Sequence, residues 1–207
     1  MQQQLFLNNN SETPGIENLL PKDGVVEIYP AFFSTAESDI LFNYLLNEIE
    51  WQQDSMRFYG KEVNLPRLTA WYGEHLKQYS YSGIDMNVKP WTNELLFIKD
   101  RSENHSGLKF TSVLLNYYRN GNDSVSWHRD NEKVLRINPV IASVSFGASR
   151  TFKFRHVDDH KLVKSIELTN GMYVLMKGET QHKWEHTIPK TSRMVKGRIS
   201  LTFRILF

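Results

Sequence analysis

The pattern of apolar and polar positions changes character near residue 110. Upstream, residues 25–29 alternate and read as a first strand. Ser34 is followed three residues later by Glu37, the signature of a capping box. Behind it Ile40, Leu41, Tyr44, Leu45 and Ile49 recur at helical spacing, which predicts a helix packed on a sheet. A second helix is expected after Pro90, carrying Leu95, Leu96 and Ile98. Between them, residues 57–83 are rich in aromatics and poor in periodicity. Downstream come short β-branched or aromatic runs at 110–118, 140–146, 151–155, 165–168, 172–176 and 198–205, with turn residues between. Regularly spaced short strands without intervening helices favour a sandwich or jelly roll over an α/β fold. No repeat or linker divides them.

Length and composition narrow the picture. A chain of 207 residues is enough for one domain with a substantial core. Residues 1–24 are Gln/Asn-rich, then broken by Pro and Gly, and read as a flexible arm; 25–207 read as one domain. There is no cysteine, so disulfides, thiolate metal sites and cysteine nucleophiles are excluded. No apolar run reaches membrane-spanning length, and the start lacks a secretory signal pattern. The expected location is intracellular, cytoplasmic by default and nuclear in a eukaryote; no membrane partner is expected. Net charge is +2, yet 1–108 hold 8 basic against 15 acidic residues and 109–207 hold 17 against 8. A basic half suits a phosphate backbone, although charge alone points no further than an uneven solvated surface.

The chemistry sits in the downstream half. His128 and Asp130 are two apart, so an extended segment turns both side chains to one face. Either His182 or His186 could add a second imidazole. Two imidazoles and a carboxylate on one metal leave positions open, as in non-haem iron oxygenases. In the last run Arg198, Ser200, Thr202 and Arg204 alternate with Ile199, Leu201, Phe203 and Ile205. Inward-facing arginines are costly unless an anion is bound, though a wet sheet face would show the same alternation. Asn116 and Tyr118, two apart in their own run, add an amide and a phenol. The set fits a small dicarboxylate, 2-oxoglutarate, with its distal carboxylate on an arginine.

Taken together, N-Y-Y-R-N-G, W-H-R-D-N-E, N-P-V-I-A-S-V-S-F-G-A-S-R-T-F, H-T-I-P and R-I-S-L-T-F-R resemble the AlkB family of Fe(II)- and 2-oxoglutarate-dependent dioxygenases. The resemblance is greatest to the DNA alkylation-repair subgroup, similar to the animal homologue that acts on duplex DNA. It implies a mainly β double-stranded β-helix, or jelly roll, with flanking helices, a core over 110–207 and a nucleotide-recognition lid over 57–83. It implies Fe(II) on His128, Asp130 and His186, which also form the catalytic set. His186 is preferred to His182 because it lies twelve residues before Arg198, as the family's distal ligand does. It implies 2-oxoglutarate on Asn116, Tyr118, Arg198, Ser200, Thr202 and Arg204. Ser200 stands where the family often has asparagine, which bears on co-substrate affinity.

The implied reaction is oxidative demethylation of N-alkylated bases such as 1-methyladenine and 3-methylcytosine in DNA, releasing formaldehyde, succinate and carbon dioxide. A base in a stack must first be flipped out. Phe58, Tyr59 and Gly60 resemble the family's finger loop, with Tyr59 as wedge. Tyr79 and Tyr81 resemble the pocket lid, Tyr81 stacking on the flipped base opposite the His128 ring. Glu132 is placed to accept from an exocyclic amine. Arg67, Arg150, Lys153, Arg155, Lys183, Lys190, Arg193 and Lys196 are candidates for phosphates. The expected partner is alkylated DNA, single- or double-stranded, or RNA, met by a monomer. The alternatives are a same-fold oxygenase acting on RNA or another substrate, and a non-catalytic binder of methylated nucleic acid.

Overall fold

The structure, a computed structural model, describes residues 18–58, 60–74, 79–81, 84–86 and 88–207. Most of the expected N-terminal arm, residues 1–17, therefore lies outside the described residues. The first half runs β1 (Val25–Tyr29), α1 (Thr35–Glu48), β2 (Ser55–Phe58), β3 (Lys61–Asn64), β4 (Leu68–Gly73), β5 (Tyr79–Tyr81), β6 (Ile84–Met86) and α2 (Asn93–Ser106). The second half runs β7 (Ser112–Tyr118), β8 (Val125–His128), β9 (Ile141–Gly147), β10 (Arg150–His156), β11 (Val163–Leu168) and β12 (Met172–Lys177). A short helix α3 (Thr180–Lys183) then leads into β13 (Trp184–Ile188) and β14 (Arg198–Arg204).

Two antiparallel sheets form the roll. The larger has the order β1-β12-β9-β14-β7-β4 and the smaller β11-β10-β13-β8. Two apolar layers hold it together. One lies between the large sheet and the helices, built on Leu41, Leu45, Leu95, Ile98, Phe146, Leu201 and Phe203. The other lies between the sheets, built on Trp71, Leu114, Phe152, Phe154, Met176 and Trp184. β14 divides itself between them: Ile199, Leu201 and Phe203 enter the helix-side layer, while Arg198, Ser200, Thr202 and Arg204 face the space between the sheets. The wet-face reading of this strand is therefore excluded, since both of its arginines are buried.

The helices begin where the side chains cap them. Ser34 Oγ accepts from the Glu37 amide, and Glu37 Oε2 accepts from the Ser34 amide at 2.9 Å. Thr92 caps α2 and Gly107, at φ +72°, closes it in the left-handed region. The apolar stripes are narrower than the spacing suggests. Ile40 and Leu96 are exposed, because the inner faces are drawn through Ser38, Leu41, Leu45 and through Leu95, Ile98, Ser102.

Residues 57–83 are not irregular throughout. Residues 68–73 form β4, at the edge of the large sheet. Its two faces are both covered, Trp71 by the inter-sheet layer and Ala70 and Tyr72 by the helix-side layer. A strand apolar on both faces loses its alternation, so no period marks it. What remains outside the roll is two ribbons, β2–β3 and β5–β6.

Candidate metal and co-substrate site

The candidate metal ligands are brought together by strand register. His128 ends β8 and His186 lies directly opposite on β13, their ring centroids 4.3 Å apart. Asp130 follows two residues after the strand ends. One donor atom from each of the three lies within 4.8 Å of the others. The surroundings hold each ligand in position. His128 Nδ1 lies 2.8 Å from the Ser126 carbonyl, so an N–H there donates and leaves Nε2 free for an ion. The Asp130 amide donates to Gln181 Oε1 at 3.0 Å, and Asp130 Oδ2 accepts from Arg204 Nη2 at 2.8 Å. His186 is buried, with Nδ1 lacking a hydrogen-bond partner among the described residues.

Electrostatics bring all three to their ligating forms. Burial raises the Asp130 carboxyl, but Arg204 and the two imidazoles outweigh it and hold it at about 2. Burial, helped by His128, pushes His186 down to about 3. Burial also lowers His128. A carboxylate and two neutral imidazoles fit a divalent transition metal.

Behind the ligands is a small chamber between the sheets. Register orders its polar wall: Arg204 is level with Ser112, Thr202 with Leu114, Ser200 with Asn116, and Arg198 with Tyr118. Arg204 stands at the His-Asp-His cluster, against Asp130, and Arg198 at the far end. Arg198 is 1% exposed; Nη2 donates to Ser145 Oγ at 2.8 Å, while Nε and Nη1 have no hydrogen-bond partner among the described residues. Its guanidinium sits 5.3 Å from the Tyr118 ring centroid, and burial lowers it to about 10. A buried guanidinium with two nitrogens lacking a hydrogen-bond partner among the described residues calls for an anion. Apolar Phe152, Leu168, Met176 and Ile188 complete the lining.

The chamber thus brings together His128, Asp130, His186, Asn116, Tyr118, Arg198, Ser200, Thr202 and Arg204. Glu132 lies nearby at the start of a 3-10 turn, Lys133–Leu135; Oε2 is buried without a hydrogen-bond partner among the described residues. Burial, then Asp130, raises its carboxyl. Phe58 and Gly60 flank the tip of the β2–β3 ribbon, with Gly60 at φ +76°. Tyr59 lies outside the described residues, and of Tyr79 and Tyr81 only the backbone of β5 is described.

Two of the expected phosphate residues are elsewhere. Arg67 is buried on the chamber wall, with Nε donating to Asn116 Oδ1 at 2.7 Å. Arg150 is buried beneath the loops, donating to the carbonyls of Asn120, Asp123 and Pro189. Arg155 pairs with Glu185 and lies over Trp127. His182 accepts from the Asn138 amide, outside the ligand set. Sequence reasoning missed Ser145 and Gln181. Ser143 and Ser145, interrupting an apolar strand at alternate positions, were a usable signal for a polar chamber wall. Gln181 had none, because its role comes from a single helical turn brought against the Asp130 loop.

These features agree with what the chain is similar to. The 2OG-Fe(II) oxygenase superfamily profile matches residues 25–204. Alpha-ketoglutarate-dependent dioxygenase alkB homolog 3 of Homo sapiens is 39% identical over 189 residues, covering 87% of this chain and 65% of that protein. DNA oxidative demethylase ALKBH2 of Mus musculus is 35% identical over 195 residues, covering 89% and 82%. The chain belongs to the AlkB family of that superfamily. It spans slightly less than two thirds of the human homolog 3. Among solved structures, OsALKBH1 superposes with a TM-score of 0.65 at 16% identity, covering 93% of this chain and all of that one. A prolyl hydroxylase from Trichoplax adhaerens does so at 0.60 and 11% identity, covering 87% and 83%, which speaks for the jelly-roll fold alone. No helix among the described residues is long and apolar enough to cross a membrane.

Proposed function

We propose that this protein is an Fe(II)- and 2-oxoglutarate-dependent oxygenase that removes N-methyl groups from nucleobases in DNA, 1-methyladenine and 3-methylcytosine among them. One observation carries the reading: a His-Asp-His cluster opens onto a chamber whose far end holds Arg198, with two nitrogens lacking a hydrogen-bond partner among the described residues. Fe(II) held there supplies, with 2-oxoglutarate and dioxygen, the oxidising power that hydroxylates an N-methyl group, which then leaves as formaldehyde.

The chain's own residues do the rest. His128, Asp130 and His186 hold the metal. Arg198, with Tyr118 and Ser200, binds the distal carboxylate, and Arg204 offers its charge beside the metal end. Asn116 and Thr202 line the path between them. The apolar lining excludes water and strengthens each charge contact. The carboxylates of Asp130 and Glu132 attract a cationic methylated ring. The lid narrows to the two ribbons: Phe58, Tyr59 and Gly60 meet the duplex, and Tyr79 and Tyr81 face the base. Names of relatives support the substrate class, since ALKBH2 is called a DNA oxidative demethylase. The protein works as an intracellular monomer on single- or double-stranded alkylated DNA.

The test is formaldehyde and succinate release by purified protein with Fe(II), 2-oxoglutarate and oligonucleotides carrying 1-methyladenine, paired and unpaired. Lesion-dependent formaldehyde is expected. Succinate without lesion dependence would keep the oxygenase and reject the substrate. No succinate from iron-loaded protein would reject the oxygenase and favour a non-catalytic binder.

A further inference from the structure

Arg67 joins Arg198 and Arg204 on the chamber wall. It is 7% exposed, lines the metal chamber, and has no carboxylate within ion-pair distance among the described residues. Arg150, also buried, has three carbonyl acceptors, and Arg119 has a bidentate partner in Asp123. Arg67 has one short bond, Nε to Asn116 Oδ1 at 2.7 Å, and one long one, Nη1 to the Ser124 carbonyl at 3.4 Å. A guanidinium enclosed on the chamber wall with no carboxylate partner among the described residues suits an anion bound beside it.

The bond to Asn116 has a second consequence. Accepting at Oδ1 fixes which way the amide faces, so Nδ2 is turned as a donor. Asn116 lies level with Ser200, between Tyr118–Arg198 on one side and the metal end on the other. Arg67 is also joined to the roll on both sides. The Ser124 amide donates to the Pro66 carbonyl at 2.8 Å, and the Leu65 amide donates to the Asp54 carbonyl at the foot of the β2–β3 ribbon.

We infer that Arg67 is a positioning residue for the co-substrate: it orients Asn116, adds a third positive charge to the chamber, and links dicarboxylate occupancy to the foot of the β2–β3 ribbon. This rests on the chamber's taking 2-oxoglutarate, as proposed above.

The test is calorimetric titration of 2-oxoglutarate into Mn(II)-loaded, oxygen-free protein, for wild type, Arg67→Met, Arg67→Lys, Asn116→Ala and the Arg67→Met/Asn116→Ala double variant. Mn(II) affinity and the unfolding midpoint without co-substrate serve as controls. Arg67→Met should weaken 2-oxoglutarate about tenfold, as expected for a hydrogen-bonded charge, with Mn(II) affinity unchanged. Arg67→Lys should recover part of the loss, since charge is kept and the fork is not. The double variant should be no worse than the more affected single, because the two residues act as one unit. The midpoint increase on adding 2-oxoglutarate should shrink in parallel. Wild-type affinity in Arg67→Met would overturn the inference, and so would additive losses in the double variant. Absence of 2-oxoglutarate binding by wild type would instead overturn the oxygenase reading. Should Arg67→Met fail to fold, the Arg67→Lys and Asn116→Ala pair decides: unchanged affinity in both overturns it.

Discussion

Arg204 Nη2 donates to Asp130 Oδ2 at 2.8 Å, both groups buried, so the candidate metal carboxylate and the arginine proposed for the co-substrate are one buried ion pair. The pair keeps Asp130 ionised where burial alone would neutralise it. Removing one partner leaves the other charge buried. Arg204→Leu should therefore destabilise the metal-free protein by about 3–5 kcal/mol. A bound divalent cation replaces the lost charge, so saturating Mn(II) should restore part of the midpoint. Urea melts with and without Mn(II) test this; equal losses in both conditions would dissociate the arginine from the metal carboxylate.

The ligands should need no deprotonation near neutrality. His186 is held at about 3 and His128 below its usual range, so both are neutral at pH 7, while Asp130 at about 2 is ionised. Mn(II) binding at pH 7 should thus release almost no protons, giving the same heat in buffers of different ionisation enthalpy. The stability sign follows. A histidine whose folded pKa is lowered favours folding above its unfolded value, about 6.5. Between there and about 3 the unfolded chain binds more protons, so stability falls as pH drops, by up to about 1.4 kcal/mol per pH unit for His186 alone. Asp130 acts in the same direction but lower, its contribution fading from about pH 4 towards 2. Urea midpoints of the metal-free protein from pH 7 to 5 should decline; a flat profile would contradict the neutral, buried imidazoles.

The site was more legible than the fold around it. The alternation of Arg198, Ser200, Thr202 and Arg204 with Ile199, Leu201 and Phe203 is written in period two, and the two-faced burial of β14 follows it. The pairing of His128 with His186 is long-range, and only resemblance separated His186 from His182. Three strands of the two main sheets were not visible, nor were the four strands of the ribbons. β4 is apolar on both faces, β8 carries the polar Ser126 and His128, and β13 interleaves Glu185 and His186 with apolar neighbours. Charge could not distinguish Arg150 from Lys190, because counting charges does not reveal which guanidinium the loops close over.

Those two kinds of cation should behave oppositely on mutation. Arg150 satisfies the carbonyls of Asn120, Asp123 and Pro189, which an alanine would leave buried and unbonded. Arg150→Ala should cost about 3 kcal/mol of stability. A triple change at Lys190, Arg193 and Lys196, all outside the core, should leave the urea midpoint within about 0.5 kcal/mol. If these residues meet phosphates, it should also flatten the salt dependence of DNA binding by about one unit of log–log slope for each phosphate no longer neutralised. Fluorescence anisotropy across a salt series reads this out, and an unchanged slope would remove the loop 189–197 from the interface.

The β2–β3 ribbon carries the remaining prediction. Met56 and Val63 are opposed in its register and both exposed, and Gly60 turns the chain at its tip beside Tyr59. Apolar side chains on a two-stranded ribbon gain nothing in water, so they suit insertion into a vacated base position. A flipped duplex base needs that filling, whereas an unpaired base does not. Tyr59→Ala should therefore lower demethylation of a paired 1-methyladenine about tenfold or more while changing the unpaired substrate by less than about threefold, reflecting the roughly 1–3 kcal/mol that a stacked aromatic contributes per base. Steady-state formaldehyde release on matched oligonucleotides measures the ratio. Equal losses on both substrates would make Tyr59 a general pocket contact, and no loss on either would leave the ribbon without a role in base extrusion.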